Sequence, residues 1–176
     1  MPIVDTSIPI TAESCDRMIR ELVQAYPFCR TEVLGTTAFG RPLRTLVIGS
    51  GPRKVIYTAA HHGNEWITSL VLLKFAEDLA EAIQNGTQIG GRPAQEIADS
   101  VTIHMLPMVD PDGVDLVAGA IRPNTPEYTD ARQIAGNFVL LTKKEYIYHI
   151  FHVVYLLLIF IRKFVKFVKT EYRTVL

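Results

Sequence analysis

Apolar and polar positions change period several times along the chain, and each change predicts an element. Behind Thr11, the residues Met18, Ile19, Leu22 and Val23 recur at helical spacing and predict a helix over 12–25, stopped by Tyr26-Pro27. Thr31 to Leu34 and Leu43 to Ile48 are β-rich and separated by Gly35, Gly40 and Pro42, which predicts a hairpin-like pair. After the turn Gly49-Ser50-Gly51-Pro52, the run Lys54 to Ala60 reads as a buried central strand. Helical spacing returns from Ile67 to Ile83, with Glu77, Asp78 and Glu81 on the polar side of an amphipathic helix. Asn85-Gly86 and Gly90-Gly91 mark a loop, and a short helix is expected around Pro93 to Ala98. Val101 to Leu106 predicts another buried strand, which runs into the turn Asp110-Pro111-Asp112-Gly113. Strand, helix and strand in that order imply crossover connections and an α/β sheet with flanking helices.

The pattern breaks at Val139. All 11 glycines and all 10 prolines precede it, and 139–176 also lacks Ala, Asp, Asn, Gln and Ser. Turns draw on those residues for backbone reasons, so 1–138 and 139–176 read as different kinds of sequence. In the second part Lys143 and Lys144 precede an apolar run, Tyr146 to Ile161, and Arg162, Lys163, Lys166 and Lys169 follow. Two explanations fit. As a helix the run spans about 24 Å, and interfacial tyrosines and snorkelling lysines can extend it toward the roughly 30 Å of a hydrocarbon core. A C-terminal membrane attachment through 146–161 follows from that reading. Alternatively the tail is a shifted reading frame, since A- and T-rich codons yield the Lys, Ile, Phe, Tyr, Leu and Val that dominate it.

Charge narrows the partners. Lysine plus arginine equals aspartate plus glutamate at 18 each, so no global field draws the chain to nucleic acid or acidic lipid. Cys15 and Cys29 are too few for a disulfide framework and read as small buried thiols. Met1 to Arg20 has no basic segment followed by an apolar run, which makes cytoplasmic residence the expectation.

Ligands of open α/β sheets bind beyond the carboxyl ends of the strands, where two polar clusters lie here, His61 to Glu65 and Asp110 to Asp112. His62 and Glu65 stand three apart, on one side of a helical turn, where an imidazole nitrogen and a carboxylate oxygen can share a Zn²⁺ at about 2.0–2.2 Å. Gly63 allows a tight bend, and Trp66 is placed to wall one side of a pocket. The same tetrapeptide also occurs on helices whose His and Glu merely face solvent. His61 should point away from His62, and His104 reads as a core or edge-strand histidine. His149 and His152, also three apart, are either a replacement ligand or one side of an apolar element.

The segment His62-Gly63-Asn64-Glu65-Trp66 resembles the first metal motif of the zinc carboxypeptidase family, and Pro107 to Gly113 resembles that family's Asn-Pro-Asp-Gly turn. Tyr26-Pro27, Gly35, Gly40-Arg41-Pro42-Leu43 and Ile48-Gly49 are similar to its lead-in strands. The resemblance implies a mixed sheet and one catalytic zinc held by two histidines and a glutamate. His62 would be the first ligand and Glu65 the second. It also implies a peptide substrate, and His-Gly-Asn-Glu-Trp-Ile-Thr is similar to the bacterial branch that cleaves γ-D-glutamyl–diamino acid bonds in cell-wall peptides. Arg122 is the candidate contact to a substrate carboxylate, its alternative being a solvated surface arginine. Asp110 stands where the family usually has asparagine, and the match fades at Asn137-Phe138. The family's Asn-Arg-Asn-type motif, third ligand histidine and general-base glutamate have no assignable counterpart. The chain is thus read as the N-terminal part of such a peptidase, incomplete and inactive. The alternatives are a non-catalytic, membrane-anchored peptide-binding module and a defective truncated product.

Overall fold

The computed structural model describes residues 2–139, with side chains through Gln133. The tail from 140 onward, including Tyr146 to Ile161, His149 and His152, lies outside the described residues. The chain divides into two compact units, Met1–Ala120 and Ile121–Leu176.

In the first unit, helix α1 (Ala12–Ala25) begins where the periodicity places it. Thr11 Oγ1 accepts from the Ser14 amide at 3.2 Å, and the Ser14 hydroxyl accepts from the Thr11 amide at 2.8 Å. This reciprocal cap satisfies two donors that a helix start leaves open. Met18, Ile19 and Leu22 are buried in the core. Strands β1 (Arg30–Thr36) and β2 (Pro42–Ile48) form the expected antiparallel hairpin, with a register shift between Val33 and Gly35.

Strand β3 (Arg53–Thr58) leads through a 3-10 turn, Gly63–Glu65, into helix α2 (Trp66–Gln84). A two-residue ribbon, β4 (Gln88–Ile89) with β5 (Arg92–Pro93), and helix α3 (Ala94–Ser100) return the chain to β6 (Val101–Leu106). The main sheet has the order β1-β2-β6-β3. β6 pairs antiparallel with β2 and parallel with β3, Ile56 lying opposite His104 and Thr58 opposite Leu106. An α/β sheet is the result, as the alternation of elements predicts, and it is mixed, as the family resemblance implies.

One core cluster joins α1, the sheet and α2 through Met18, Ile19, Leu22, Leu46, Ile48, Leu70, Leu73, Leu79, Ile103 and Met105. The Gly49–Gly51 turn is pressed against the start of β6. Gly49 has φ +89°, and a Cβ there would stand 2.3 Å from the Val101 carbonyl oxygen. Only glycine tolerates both conditions.

Two expectations are corrected. The strand read as central and buried lies at an edge of the described sheet, with β6 on one side and Tyr57 45% exposed. Its apolar run signals burial, but strand order depends on pairing partners and is not written in periodicity. Glu77, placed on the polar side of α2, is 3% exposed. Its Oε1 accepts from the Ile3 amide at 2.5 Å and the Val4 amide at 3.4 Å, while Lys74 Nζ lies 3.2 Å from Oε2. The N-terminal segment therefore folds over α2 at Glu77, while Asp78 and Glu81 remain exposed on the polar side as expected.

The second unit contributes helix α5 (Pro126–Val139), whose start is capped by Thr125 Oγ1 accepting from the Tyr128 amide at 3.2 Å. Ile121 and Ala131 are its buried apolar residues among those described. No helix among the described residues is long and apolar enough to cross a membrane.

Beside Tyr57, α2 exposes Ile67 (52%) and Val71 (65%), apolar surface of the kind that drives self-association. Val71→Glu is expected to reduce light scattering of the purified chain and to change unfolding stability by no more than about 0.5 kcal/mol. Leu73→Ala, at a fully buried position of the same helix, is expected to cost about 2–5 kcal/mol in urea unfolding. Equal losses for the two variants would contradict this assignment of faces.

Candidate metal centre

The site is built where β3 ends. Beyond Thr58, Ala59 and Ala60 keep the chain beside the segment that leaves β6: the Val109 amide donates to the Ala59 carbonyl at 3.0 Å and the Asp110 amide to the Ala60 carbonyl at 2.9 Å. Ala60 adopts φ +47°, a left-handed conformation that turns the backbone out of the strand. His62 is still extended, and Gly63–Glu65 then closes a single 3-10 turn, with the Glu65 amide donating to the His62 carbonyl at 2.9 Å. Thr68 fixes both ends of this bend. Its Oγ1 accepts from the Ala60 amide and donates to the Glu65 carbonyl, each at 2.8 Å.

That geometry brings His62 Nδ1 to 2.8 Å from Glu65 Oε1, while Glu65 Oε2 accepts from the His62 amide at 3.3 Å. Both side chains remain partly open to solvent, so an ion and a substrate can reach them. Among the described residues no group of three or more His, Cys, Asp or Glu is arranged to hold a metal.

The neighbouring turn differs from the expectation of a plain loop. Asp110 caps helix α4 (Pro111–Val117), its Oδ1 accepting from the Gly113 amide at 3.0 Å, with Pro111 in the first helical turn where a missing amide costs nothing. Asp110, standing where the family usually has asparagine, thus makes a local hydrogen bond of the kind an asparagine oxygen could also accept. Burial pushes the Asp110 carboxyl up to about 6, helped by the charge of Asp112 and opposed by the Gly113 amide and by His62.

Gly63 serves for a reason other than bending. A Cβ on it would lie 2.3 Å from the Gly113 carbonyl oxygen, so the His62–Glu65 turn and the first turn of α4 meet backbone to backbone. The other named residues fall as follows. His61 Nε2 pairs with Thr58 Oγ1 at 2.8 Å, and burial lowers its pKa. Trp66 is half-buried and packs against the core. His104 is half-buried in β6. Arg122 is an exposed residue of the second unit, its carbonyl accepting from Thr125 Oγ1 at 2.9 Å. Cys15 and Cys29 are free buried thiols that burial pushes up to about 12, leaving them neutral.

Periodicity and spacing missed Thr68 and the mutual pairing of Asp112, Asp115 and Arg41. The last three form a buried ionic cluster behind α4, with Arg41 Nε at 2.5 Å from Asp115 Oδ2 and its NH1 at 3.0 Å from Asp112 Oδ1. Gly40-Arg41-Pro42 was visible in the sequence as a lead-in to a strand, but its partners lie more than seventy positions away.

Set beside known proteins, this arrangement is not isolated. The zinc carboxypeptidase family profile matches residues 15–134, and the chain belongs to that family. It is 36% identical over 119 residues to γ-D-glutamyl-L-diamino acid endopeptidase 1 of Lysinibacillus sphaericus, covering 68% of this chain and 30% of that protein. It is 33% identical over 132 residues to the human carboxypeptidase N catalytic chain, covering 69% of this chain and 28% of that one. The solved structure of thrombin activatable fibrinolysis inhibitor superposes with a TM-score of 0.57 at 16% identity, over 67% of this chain and 30% of that one, a likeness of fold. The chain thus spans about 30% of the length of these relatives.

The raised Asp110 value sets a pH dependence. Its folded value lies above the unfolded 3.8, so its proton favours the folded state below about pH 4, and that contribution is lost as pH rises through about 6. Asp110→Asn keeps an oxygen to cap Gly113 and has no proton to lose. In the metal-free chain the variant is expected to gain about 2–3 kcal/mol on wild type between pH 4 and pH 7, followed by urea unfolding at each pH. A stability difference that stays flat over that range would show that the carboxyl titrates normally.

Proposed function

We propose that His62 and Glu65 are two ligands of one zinc ion, in the N-terminal part of a peptidase that acts on cell-wall peptides at a γ-D-glutamyl–diamino acid bond. The observation that carries this reading is the convergence of His62 Nδ1 and Glu65 Oε1 to 2.8 Å beyond the carboxyl end of β3. Donors about 2.0–2.1 Å from a tetrahedral ion lie roughly 3.3 Å apart, so a small opening of the pair admits the ion. In the apo chain the carboxylate and the imidazole hold each other in that orientation. Membership of the zinc carboxypeptidase family supports the identity of the metal. The activity for which the Lysinibacillus relative is named supports the substrate class.

When bound, zinc would polarise a peptide carbonyl and acidify a water. The residues of this chain bind and orient. His62 and Glu65 present their donors toward solvent, Thr68 and the Gly63–Gly113 contact fix the bend that carries them, and Asp110 places a buried carboxyl behind it. Arg122 is proposed to meet a carboxylate of the substrate. A catalytic zinc ordinarily has three protein ligands, and the described residues supply two. The chain is therefore proposed to bind zinc weakly and to turn over little substrate.

Zinc affinity of the full chain, measured by competition with a chromophoric chelator, should fall below detection in His62→Ala. In Glu65→Gln it should fall by about 10–100-fold. Unchanged affinity in both variants would remove the site from these residues. Hydrolysis of a γ-D-Glu–diaminopimelate peptide should stay near background with added zinc, whereas clear zinc-dependent turnover would show that the chain completes its own site.

A further inference from the structure

We propose that Arg41 is a positioning residue for the His62–Glu65 turn, acting through helix α4; the proposal rests on the zinc reading above.

Arg41 sits at the end of the β1–β2 loop, where Thr37 and Gly40 shape a tight turn: the Thr37 amide donates to the Arg41 carbonyl at 2.8 Å, and the Arg41 amide donates to Thr37 Oγ1 at 3.1 Å. From there the guanidinium reaches across to α4 and forks. Its Nε donates to Asp115 Oδ2 at 2.5 Å and its NH1 to Asp112 Oδ1 at 3.0 Å. The same loop adds the Thr37 hydroxyl to Asp112 Oδ1 at 2.8 Å and the Phe39 amide to Asp112 Oδ2 at 3.4 Å. Asp115 Oδ1 in turn accepts from the Ala12 amide at the start of α1, at 2.7 Å.

Asp112 is fully buried and Asp115 nearly so. The seven-residue helix α4 therefore carries two buried carboxylates, and its cap Asp110 adds a third. A helix that short is not held by its own hydrogen bonds. Like charges so close would repel without a cation between them. With Thr37 and Phe39, the cationic fork fixes the helix against the loop, and it holds Asp115 where that carboxylate accepts from the start of α1.

The consequence for the metal turn follows from contact. Gly113 lies between the two aspartates, and its carbonyl is the surface on which Gly63 rests. The Asp110 and Val109 amides hold the backbone just ahead of His61 and His62. The direction in which His62 and Glu65 point is thus set by where α4 stands, and α4 stands where Arg41 holds it. A lysine carries the charge but cannot serve both aspartates from one planar fork.

The test uses the full chain as wild type, Arg41→Lys and Arg41→Ala, with Leu22→Ala in α1 as a variant destabilised away from the turn. Two quantities are read in each: amide exchange across residues 61–66 in the metal-free protein, and zinc affinity by chelator competition. Arg41→Lys is expected to speed exchange across 61–66 by roughly tenfold while β2 and β6 stay protected, and to weaken zinc by about 10–100-fold. Leu22→Ala should lower global stability and leave zinc affinity within about threefold. Arg41→Ala should exceed Arg41→Lys in both readouts, or fail to fold, and in the latter case Arg41→Lys decides. Wild-type exchange and affinity in Arg41→Lys would overturn the proposal. So would losses no larger than those of an equally destabilised Leu22→Ala. Absence of zinc binding by the wild type would sink the metal reading instead, and the exchange comparison would still decide whether Arg41 holds the turn.

Discussion

Gly63 and Gly113 touch backbone to backbone, and the site depends on that approach. Any side chain on Gly63 would drive a carbon to 2.3 Å from the Gly113 carbonyl oxygen. The contact ties together the two polar clusters that leave the parallel pair β3 and β6. Main-chain hydrogen bonds from Val109 and Asp110 to Ala59 and Ala60 extend the sheet's pairing by two more rungs into the loops. What looks like two separate turns is one rigid platform. His62 and Glu65 stand on one half of it, and Asp110 caps the other.

Parallel pairing explains why these clusters are neighbours at all. β3 and β6 run the same way, so their carboxyl ends lie side by side, and the intervening α2 and α3 bring the chain back to start β6 beside β3. A hairpin would have put the two clusters at opposite ends. One edge of the described sheet is the same strand β3 that leads into the His62–Glu65 turn, and the apolar surface of Tyr57, Ile67 and Val71 lies alongside. The candidate site and this exposed apolar surface are built on the same strand–turn–helix segment.

Much of this was legible in the sequence because it is local. The Thr11 cap, the hairpin, the extent of α2 and the strand at Val101 to Leu106 follow from period and turn chemistry within short windows. The His62–Glu65 pair was legible too, since three-residue spacing after a strand places two side chains together without any distant contact. Strand order was not, because the run from Lys54 reads the same at an edge as at a centre. Nor was the burial of Glu77, whose partners are the amides of Ile3 and Val4. The role of Arg41 was hidden for the same reason: a Gly-Arg-Pro turn says nothing about the aspartates it will meet. Gly63 was read as allowing a tight bend, whereas its small size serves a contact between segments distant in sequence. In each case the missing information is a long-range contact, which periodicity does not encode.

The central claim is that one imidazole and one carboxylate of this chain meet on a single zinc ion. X-ray absorption at the zinc edge of the loaded full chain tests it most directly. The account predicts one imidazole shell at about 2.0–2.1 Å, with oxygen filling the other positions. Two or more imidazoles, or sulfur at about 2.3 Å, would contradict it.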